Sequence, residues 1–335
     1  MRALAKRVPE LTLLITITIA AYAVMGLFSQ VQGTALLSPA AAWGIVAGSL
    51  VLSTLIAIIA VLGGVGGGVL FTPILLGFTS VDTLLVRSTG LVVAMFSGLV
   101  SSGPFMRRGL ADIKLVFYCA IPIIVGATGG AHSAIYLAGR MGEMGDALVR
   151  FLLGLVLVFI AIMFIIGGSR TEYPRPKRID SLSQRLGLAS SYWEESLGNR
   201  VDFHATRALP GGILFLLVGF LGGFFGLGGG WAVVPVLNLV MAVPLKVSAA
   251  SSGVLLAIGN AAAIWTYIVK GALIAVLAAP WMLGQVIGGI LGAHILAHVK
   301  AAFVRNILIG LLILTSLKLI SRGIEGLFGV HIPLI

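Results

Sequence analysis

The sequence predicts an all-α polytopic membrane protein that contains an inverted internal repeat with two glycine-rich re-entrant or broken-helix tips. Of its 335 residues, 59% are hydrophobic and 10% are charged, and the mean hydropathy is +1.12. This is more apolar sequence than one soluble core can bury. The glycine-rich phrase GGVGGGVLFTP, which begins at Gly63, also returns as FGLGGGWAVVP, which begins at Phe225.

The predicted spans are the apolar segments that reach the length needed to cross a bilayer. They lie at roughly 11–28, 42–62, 84–104, 115–136, 147–167, 208–228, 247–269, 272–297 and 303–321. Two apolar pieces that follow the glycine clusters, at roughly 69–81 and 231–243, are too short to cross alone. The segment 11–28 has a basic start but no clear small-x-small cleavage site, which favours a retained span over a cleaved signal peptide.

The net charge of +11 is concentrated near the predicted span ends. The basic groups are Arg2, Lys6 and Arg7, then Arg107, Arg108 and Lys114, then Lys300 and Arg305, with the largest group in the long polar segment 168–207. Basic residues in short loops mark the cytoplasmic side, so we predict a cytoplasmic N-terminus. Lys270 is the exception, because this orientation places it outside. A basic face next to anionic lipid accounts for the charge without nucleic acid.

The glycine phrase belongs to a longer repeat with a shift of 162 positions. The shift pairs Pro73 with Pro235, Arg108-Gly109 with Lys270-Gly271, Gly126 with Gly288, and Gly130-Ala131-His132 with Gly292-Ala293-His294. We therefore divide the chain into a basic segment with the first span (1–41), a first repeat (42–167), a basic cytoplasmic loop (168–207) and a second repeat (208–335).

The charge pattern also orients the two repeats. It places 29–41 outside and Arg107-Arg108 inside, so that segment 42–83 must begin and end outside, as a hairpin or re-entrant pair with the glycines at its tip. The second repeat begins inside, so its tip points the other way. Inverted repeats of this kind are a recurrent construction of secondary transporters.

The two glycine tips are the main candidate site. Non-helical backbone at membrane depth is tolerated where it is buried in protein or lines a wet cavity. Glycines leave backbone amides accessible, and each tip precedes a helical piece whose N-terminal amides attract anions. We therefore predict substrate contacts at Gly66, Gly67, Gly68, Gly228, Gly229 and Gly230, with close helix packing as the alternative. For Gly126, Gly130, Gly288 and Gly292 we favour packing.

With these features the chain resembles the TauE/SafE family of sulfite and organosulfonate exporters. The resemblance rests on Gly64-Val65-Gly66-Gly67-Gly68 with Pro73, on Gly226-Leu227-Gly228-Gly229-Gly230 with Pro235, and on their placement in two membrane halves. It implies a polytopic inner-membrane transporter that exports small sulfur-containing anions such as sulfite, sulfoacetate or related sulfonates.

Other polar residues in or near apolar spans are candidates for the same anion site. Two are cations and six are uncharged: Arg87, Lys246, Ser88, Thr89, Ser251, Ser252, Asn260 and Gln285. The cations could instead be interfacial, and the two amides could bridge helices. His132 and His294 occupy equivalent positions and are candidates for a proton relay, although packing is the alternative.

We expect no metal site, no cofactor and no enzymatic activity, because the sequence shows no convergent set of nucleophile, base or metal ligands. Transport could be coupled to protons or driven by the membrane potential alone. The alternatives that the sequence leaves open are a transporter or channel for another small anion, and a non-transporting membrane assembly factor. A homo-oligomer is also open.

Overall fold

The computed structural model describes residues 39–63, 65–107, 109–166, 174, 178–194, 198–296 and 301–330. The predicted span 11–28, the N-terminal orientation and Gly64 lie outside the described residues. The elements are α1 (Pro39–Gly63), α2 (Gly68–Phe78), α3 (Thr83–Arg107), α4 (Ile113–Ile166), α5 (Ser181–Arg185), β1 (Ala189–Glu194), β2 (Asn199–His204), α6 (Ala208–Phe225), α7 (Gly230–Pro235) with a π-helical turn (Val236–Val240), α8 (Leu245–Val269), α9 (Ala275–Leu296) and α10 (Ala301–Phe328).

Six of the described helices are long and apolar enough to cross a membrane. These segments are Trp43–Val61, Thr83–Val100, Ile113–Ile166, Ala208–Phe225, Leu245–Val269 and Asn306–Phe328. The shorter apolar helices include Gly68–Phe78 and Gly230–Val240, as expected for the pieces that follow the two glycine clusters. The prediction of an all-α polytopic membrane protein is confirmed.

The helix α4 contains the span predicted at 115–136 and, up to Ile166, the span predicted at 147–167. Gly142 has φ 50° and ψ −127° within it, which is not a helical conformation. A Cβ added to Gly145 would lie 3.1 Å from the carbonyl oxygen of Leu137. A continuous helix would separate residues eight positions apart by about 12 Å. The chain therefore reverses direction at Gly142, a position where a side chain would be strained.

Helices from the two repeats cross in equivalent pairs. In α4, a Cβ on Gly126 or Gly130 would overlap the carbonyl oxygens of Leu216 or Phe220 in α6. In α9, a Cβ on Gly288 would overlap the carbonyl oxygen of Thr54 in α1, and one on Gly292 would lie 3.2 Å from the Cα of Ile58. All four contact pairs are related by the 162-residue shift. The predicted packing role of these four glycines is confirmed, and each repeat packs one helix against the other repeat.

Side-chain contacts define two ends of the bundle. At one, which we call the Gly142 end, Thr83 Oγ1 donates to Asp146 and Arg322 Nη1 donates to the carbonyl oxygen of Thr79 at 2.8 Å. At the other, the loop end, Tyr118 donates to the carbonyl oxygen of Ala208 at 2.7 Å.

The two short helices that follow the glycine clusters run towards different ends of the bundle. We call them the half-helices: α2 is the first, and α7 with its π-helical turn is the second. The helix α2 ends at Phe78, one residue before Thr79, and so reaches the Gly142 end. The π-helical turn after α7 reaches the loop end, since the carbonyl oxygen of Met241 accepts from the amide of Thr206 at 2.9 Å. Inversion of the repeats across a membrane stays a prediction, because it also requires assigning each end to a side.

The long polar segment carries structure that the sequence analysis does not predict. Strands β1 and β2 pair antiparallel, with Ala189 opposite His204 and Glu194 opposite Asn199. Glu194 is fully buried and forms an ion pair with Lys246, the second residue of α8. The hairpin also borders a cavity of about 310 Å³ shared with residues 109–114 and Val247. The loop therefore packs onto the bundle.

Asp180 fixes this loop to the start of α6. Its carboxylate accepts from the amide and hydroxyl of Ser183, from the hydroxyl of Thr206 and from the amide of Arg207. Burial raises the pKa of Asp180, but these hydrogen bonds outweigh it and lower the pKa to about 2. The carboxylate is therefore ionised at physiological pH, where it accepts all of these bonds.

Candidate functional site

The two glycine tips touch each other inside the bundle. We call residues 65–68 the first tip and residues 226–230 the second tip. A Cβ on Gly68 would lie 2.5 Å from the carbonyl oxygen of Leu227, and one on Gly230 would overlap the carbonyl oxygen of Val65. Gly66 at φ 81°, Gly226 at φ 71° and Gly228 at φ 65° adopt backbone conformations that glycine enters at no steric cost. Both backbone conformation and close approach therefore require glycine here.

The helix α3 and the half-helix α2 hold the second tip. Thr72 Oγ1 in α2 donates to the carbonyl oxygen of Gly226 at 2.8 Å. A Cβ on Gly90 in α3 would overlap both of these oxygens. Thr72 is fully buried, so this bond couples the first half-helix to the second tip in a setting without solvent to replace it.

The first tip is surrounded by polar side chains. The amide of Gly67 donates to Ser97 Oγ at 2.9 Å, so this amide is already paired. A Cβ on Gly67 would overlap Oε1 of Gln285, which places that oxygen directly against the tip. Gln285 is fully buried, and its Nε2 donates to the carbonyl and hydroxyl oxygens of Ser53 at 3.2 and 3.1 Å. Gln285 thus links α9 and α1 to the first tip.

The second tip borders a narrow cavity of about 10 Å³, which is roughly the space that one water molecule needs. Its lining is apolar apart from Asn260 and glycine backbone, and includes Ile123, Val218, Val233, Leu255 and Leu256. A Cβ on Gly228 would lie 3.0 Å from Asn260 Nδ2. Asn260 is 3% exposed, and its Nδ2 has no hydrogen-bond partner among the described residues. A buried donor of this kind is costly unless a water or ligand pairs with it.

Arg87 lies beside the second tip as a fully buried cation. Its guanidinium donates to the carbonyl oxygens of Thr83 and Phe224, each at 3.2 Å, and lies 5.9 Å from the ring centroid of Phe224. Because Phe224 is in the last turn of α6, the cation also complements the negative end of that helix. Nη2 of Arg87 has no hydrogen-bond partner in the described part of the chain.

Two further side chains near the tips are buried in the described structure. Ser88 in α3 donates to the carbonyl oxygens of Leu85 and Ala272, each at 2.9 Å. Thr89 follows it in α3 and is 4% exposed. The Ser88 hydroxyl is thus engaged in joining α3 to the segment after α8.

Three predicted residues lie towards the loop end instead. Lys246 has a half-exposed side chain and pairs with Glu194 of the hairpin. Ser251 accepts from the amide of Asp112 at 3.4 Å, and Ser252 donates to the carbonyl oxygen of Ala249 at 2.8 Å. The structure does not bring Lys246 or Ser251 to the tips, because both lie in the first two turns of α8, whereas Asn260 lies two turns further along.

The proton relay predicted for the two histidines stays a prediction, because the structure describes only one of the two side chains. His132 is exposed on the surface of α4, and its Nδ1 lies 2.9 Å from the carbonyl oxygen of Thr128. His294 lies in α9, but its side chain is outside the described residues. The structure therefore gives His132 no contact with the tips.

Four residues that contribute to the tip region were absent from the sequence prediction. They are Ser53, Thr72, Ser97 and Trp231. Trp231 follows Gly230, is 5% exposed, and leaves Nε1 without a hydrogen-bond partner among the described residues. Small hydroxyl residues are common in membrane helices, so their presence alone did not mark Ser53 or Ser97. Thr72 and Trp231 lie within the repeated glycine phrases, and this position is the signal that could have identified them.

Long apolar helices around a buried polar junction define a polytopic α-helical membrane protein with an interior site. A family model described as "Sulfite exporter TauE/SafE" matches residues 49–319. The chain belongs to this family, whose members are membrane transporters.

Among curated proteins, the chain is similar to "Probable membrane transporter protein YunE" of Bacillus subtilis (strain 168). The two sequences are 25% identical over 271 residues, which is 78% of this chain and 92% of the relative. No solved structure matches the chain. The chain is accordingly a multi-pass membrane transporter, in agreement with its apolar helices.

Proposed function

We propose that the chain is a secondary transporter that exports small sulfur-containing anions, such as sulfite, sulfoacetate or related sulfonates, across the cell inner membrane. The observation that carries the proposal is the contact between the two glycine tips inside the bundle, from which the two half-helices diverge to opposite ends. Transporter sites are typically formed by broken helices at the interface of two repeats.

The electrostatics of the second tip support an anionic substrate. Three residues that adjoin this tip each have a buried donor without a hydrogen-bond partner among the described residues, namely Arg87 Nη2, Trp231 Nε1 and Asn260 Nδ2. An unpaired buried donor costs about 1–3 kcal/mol, and more when it is charged. An anion that entered between the tips would offer acceptors to such donors and would balance the charge of Arg87.

The topology that we propose places the loop end in the cytoplasm and the Gly142 end outside. The basic loop 168–207 would then face anionic lipid and the cytoplasm. The repeats 42–167 and 208–335 would be inverted, with the N-terminus cytoplasmic. A homo-oligomer stays a prediction.

The driving force follows from the charge of the substrate. Moving one negative charge outward across an inside-negative membrane releases about 2.3 kcal/mol per 100 mV. With His132 on the bundle surface, proton coupling would act through protonation of the substrate, since sulfite and hydrogen sulfite interconvert near neutrality.

The direct test is flux in proteoliposomes that contain the purified protein, with sulfite, sulfoacetate, sulfate and chloride measured in parallel. We expect sulfite or sulfoacetate to move faster than in empty vesicles under an imposed voltage or pH gradient. Flux of chloride alone would replace the proposed substrate with another small anion. No flux above empty vesicles for any of the four would contradict a transport function for these anions.

A further inference from the structure

The side-chain amide of Gln285 has a fixed orientation. The carbonyl oxygen of Ser53 can only accept a hydrogen bond, so it must face the NH2 group of Gln285. Ser53 Oγ donates its own hydrogen to the carbonyl oxygen of Trp281 at 2.6 Å, and is therefore also an acceptor towards Gln285. A flipped amide would place an oxygen against both acceptors. Oε1 is thus held against Gly67.

This oxygen is a buried acceptor that nothing in the described structure satisfies. Gln285 is fully buried, and Oε1 has no hydrogen-bond partner among the described residues. The nearby amide of Gly67 donates to Ser97 instead. A ligand at the first tip therefore meets a buried acceptor that needs a hydrogen-bond donor, which the ligand can supply.

The polar groups at the two tips are not copies of each other. The 162-residue shift pairs Gln285 with Ile123, Ser53 with Phe215 and Asn260 with Gly98. The first tip thus presents the acceptor of Gln285, whereas the second presents the unpaired donor of Asn260. The arrangement fits an anion with two chemically different ends.

We propose that Gln285 selects transported anions that carry a hydrogen-bond donor. Its Oε1 accepts from that donor, while the donors at the second tip bind the anionic oxygens. The class comprises hydrogen oxyanions and sulfonates that bear a hydroxyl or ammonium group, in preference to donor-free anions of equal charge. This inference rests on the proposed function, because it requires a sulfur-containing anion between the tips.

Two anions that differ in a single hydrogen-bond donor test this selection. The 2-hydroxyethanesulfonate and propane-1-sulfonate ions have the same charge and similar size, and differ by a hydroxyl in place of a methyl group. In proteoliposomes at one pH and one voltage, we expect the wild-type protein to carry the hydroxyl-bearing ion about tenfold better, which corresponds to roughly one hydrogen bond to a buried acceptor.

The variant Gln285→Met removes the acceptor and keeps a side chain of similar length. In this variant the fluxes of the two probes should differ by no more than about twofold, because the flux of 2-hydroxyethanesulfonate falls. Gln285→Asn, which withdraws the amide by one methylene, serves the same comparison if the Met variant does not fold. Gly129→Ala, at a position where a Cβ meets nothing within 4 Å, should keep the wild-type preference.

The outcomes separate the two hypotheses. Equal wild-type flux of the two probes, or a preference that survives in both Gln285 variants, overturns the selection of a donor and leaves transport intact. If neither probe, nor sulfite, moves faster than in empty vesicles, the proposed function fails and this inference fails with it.

Discussion

The glycines of the two tips are held by direct backbone contact as well as by backbone conformation. Gly68 has an ordinary helical position at the start of α2, yet its Cα faces the carbonyl oxygen of Leu227 and the side chain of Ala94. Gly66 and Gly228 instead have positive φ. A side chain at Gly68 would therefore press against the second tip, whereas one at Gly66 or Gly228 would strain the backbone of its own tip.

Gly68→Ala should therefore eliminate transport. The added methyl group would lie 2.5 Å from the carbonyl oxygen of Leu227, a backbone atom that cannot move aside locally. Overpacking of this kind costs about 1–3 kcal/mol. Thermal unfolding in detergent and anion flux in proteoliposomes would measure both effects, with Gly129→Ala as the control. Wild-type flux in Gly68→Ala would show that contact between the tips is dispensable.

Thr72→Val should lower stability without changing side-chain shape. The change removes the donor to Gly226 and leaves that carbonyl oxygen buried, for an expected cost of about 1–3 kcal/mol. The control is Thr54→Val, because among the described residues Thr54 Oγ1 bonds only to the carbonyl oxygen of Leu50 one turn earlier. Equal unfolding temperatures for the two variants would indicate that Thr72 does not couple α2 to the second tip.

Among single residues, the sequence predicted the repeated glycines and the buried polar residues Asn260 and Gln285, but not the hydroxyl residues that pair with the tips. The glycine phrases were visible because both copies keep them in register. Ser53 and Ser97 have no polar equivalents in the second repeat, so the repeat gave no reason to choose them. Lys246 was expected at the tips, and the structure pairs it with Glu194 because the loop folds back onto the start of α8.

At the scale of the helices, two equivalent crossings, of α4 with α6 and of α9 with α1, pack the repeats against each other. Each crossing is close because glycine lets one helix touch the backbone of the other. A substitution at Gly126 should therefore resemble one at its equivalent, Gly288.

Gly126→Ala and Gly288→Ala should each destabilise the fold by about 1–3 kcal/mol through overpacking. Gly129→Ala, at a position where the added Cβ meets nothing within 4 Å, should change stability far less. Thermal unfolding of the three purified variants is the measurement. If either Gly126→Ala or Gly288→Ala unfolded at the same temperature as Gly129→Ala, the two crossings would not be equivalent in packing.

The loop attachment should be insensitive to pH until strongly acidic conditions. The pKa of Asp180 in the folded protein, about 2, lies below its ordinary value of 3.8. Its contribution to stability is therefore present above about pH 4 and is lost as the pH falls through 2. Hydrogen exchange at the amides of Ser183 and Arg207 should stay protected at pH 5, and Asp180→Ala should remove the protection at any pH. Equal protection in that variant would exclude Asp180 as the attachment point.

The hairpin of β1 and β2 was not predictable from the charge pattern that marked residues 168–207 as a loop. That pattern reports the side of the membrane and says nothing about pairing between strands. The helices were predictable because length and hydropathy suffice for a span, whereas a two-stranded hairpin depends on packing against the bundle.

For the whole molecule, inversion of the two repeats stays a prediction, and it requires the two half-helices to end at opposite ends of the bundle, as they do. The proposed orientation places Lys270 outside and Lys114 inside. Both residues are exposed, and Cys119 is buried. A Cys119→Ala background with Lys270→Cys or Lys114→Cys should be labelled by an impermeant thiol reagent from opposite sides of intact cells and inverted vesicles. Labelling of both positions from one side would overturn the inversion.

The central claim is that the junction of the two tips carries an anion across the membrane. The most direct measurement is counterflow, in which labelled sulfite enters proteoliposomes loaded with unlabelled sulfite and is compared with entry into unloaded vesicles. We predict saturable entry that is accelerated by internal sulfite in the wild type and in Gly129→Ala, and is absent in Gly68→Ala. Entry no faster than in empty vesicles, or equal counterflow in Gly68→Ala, would contradict this account.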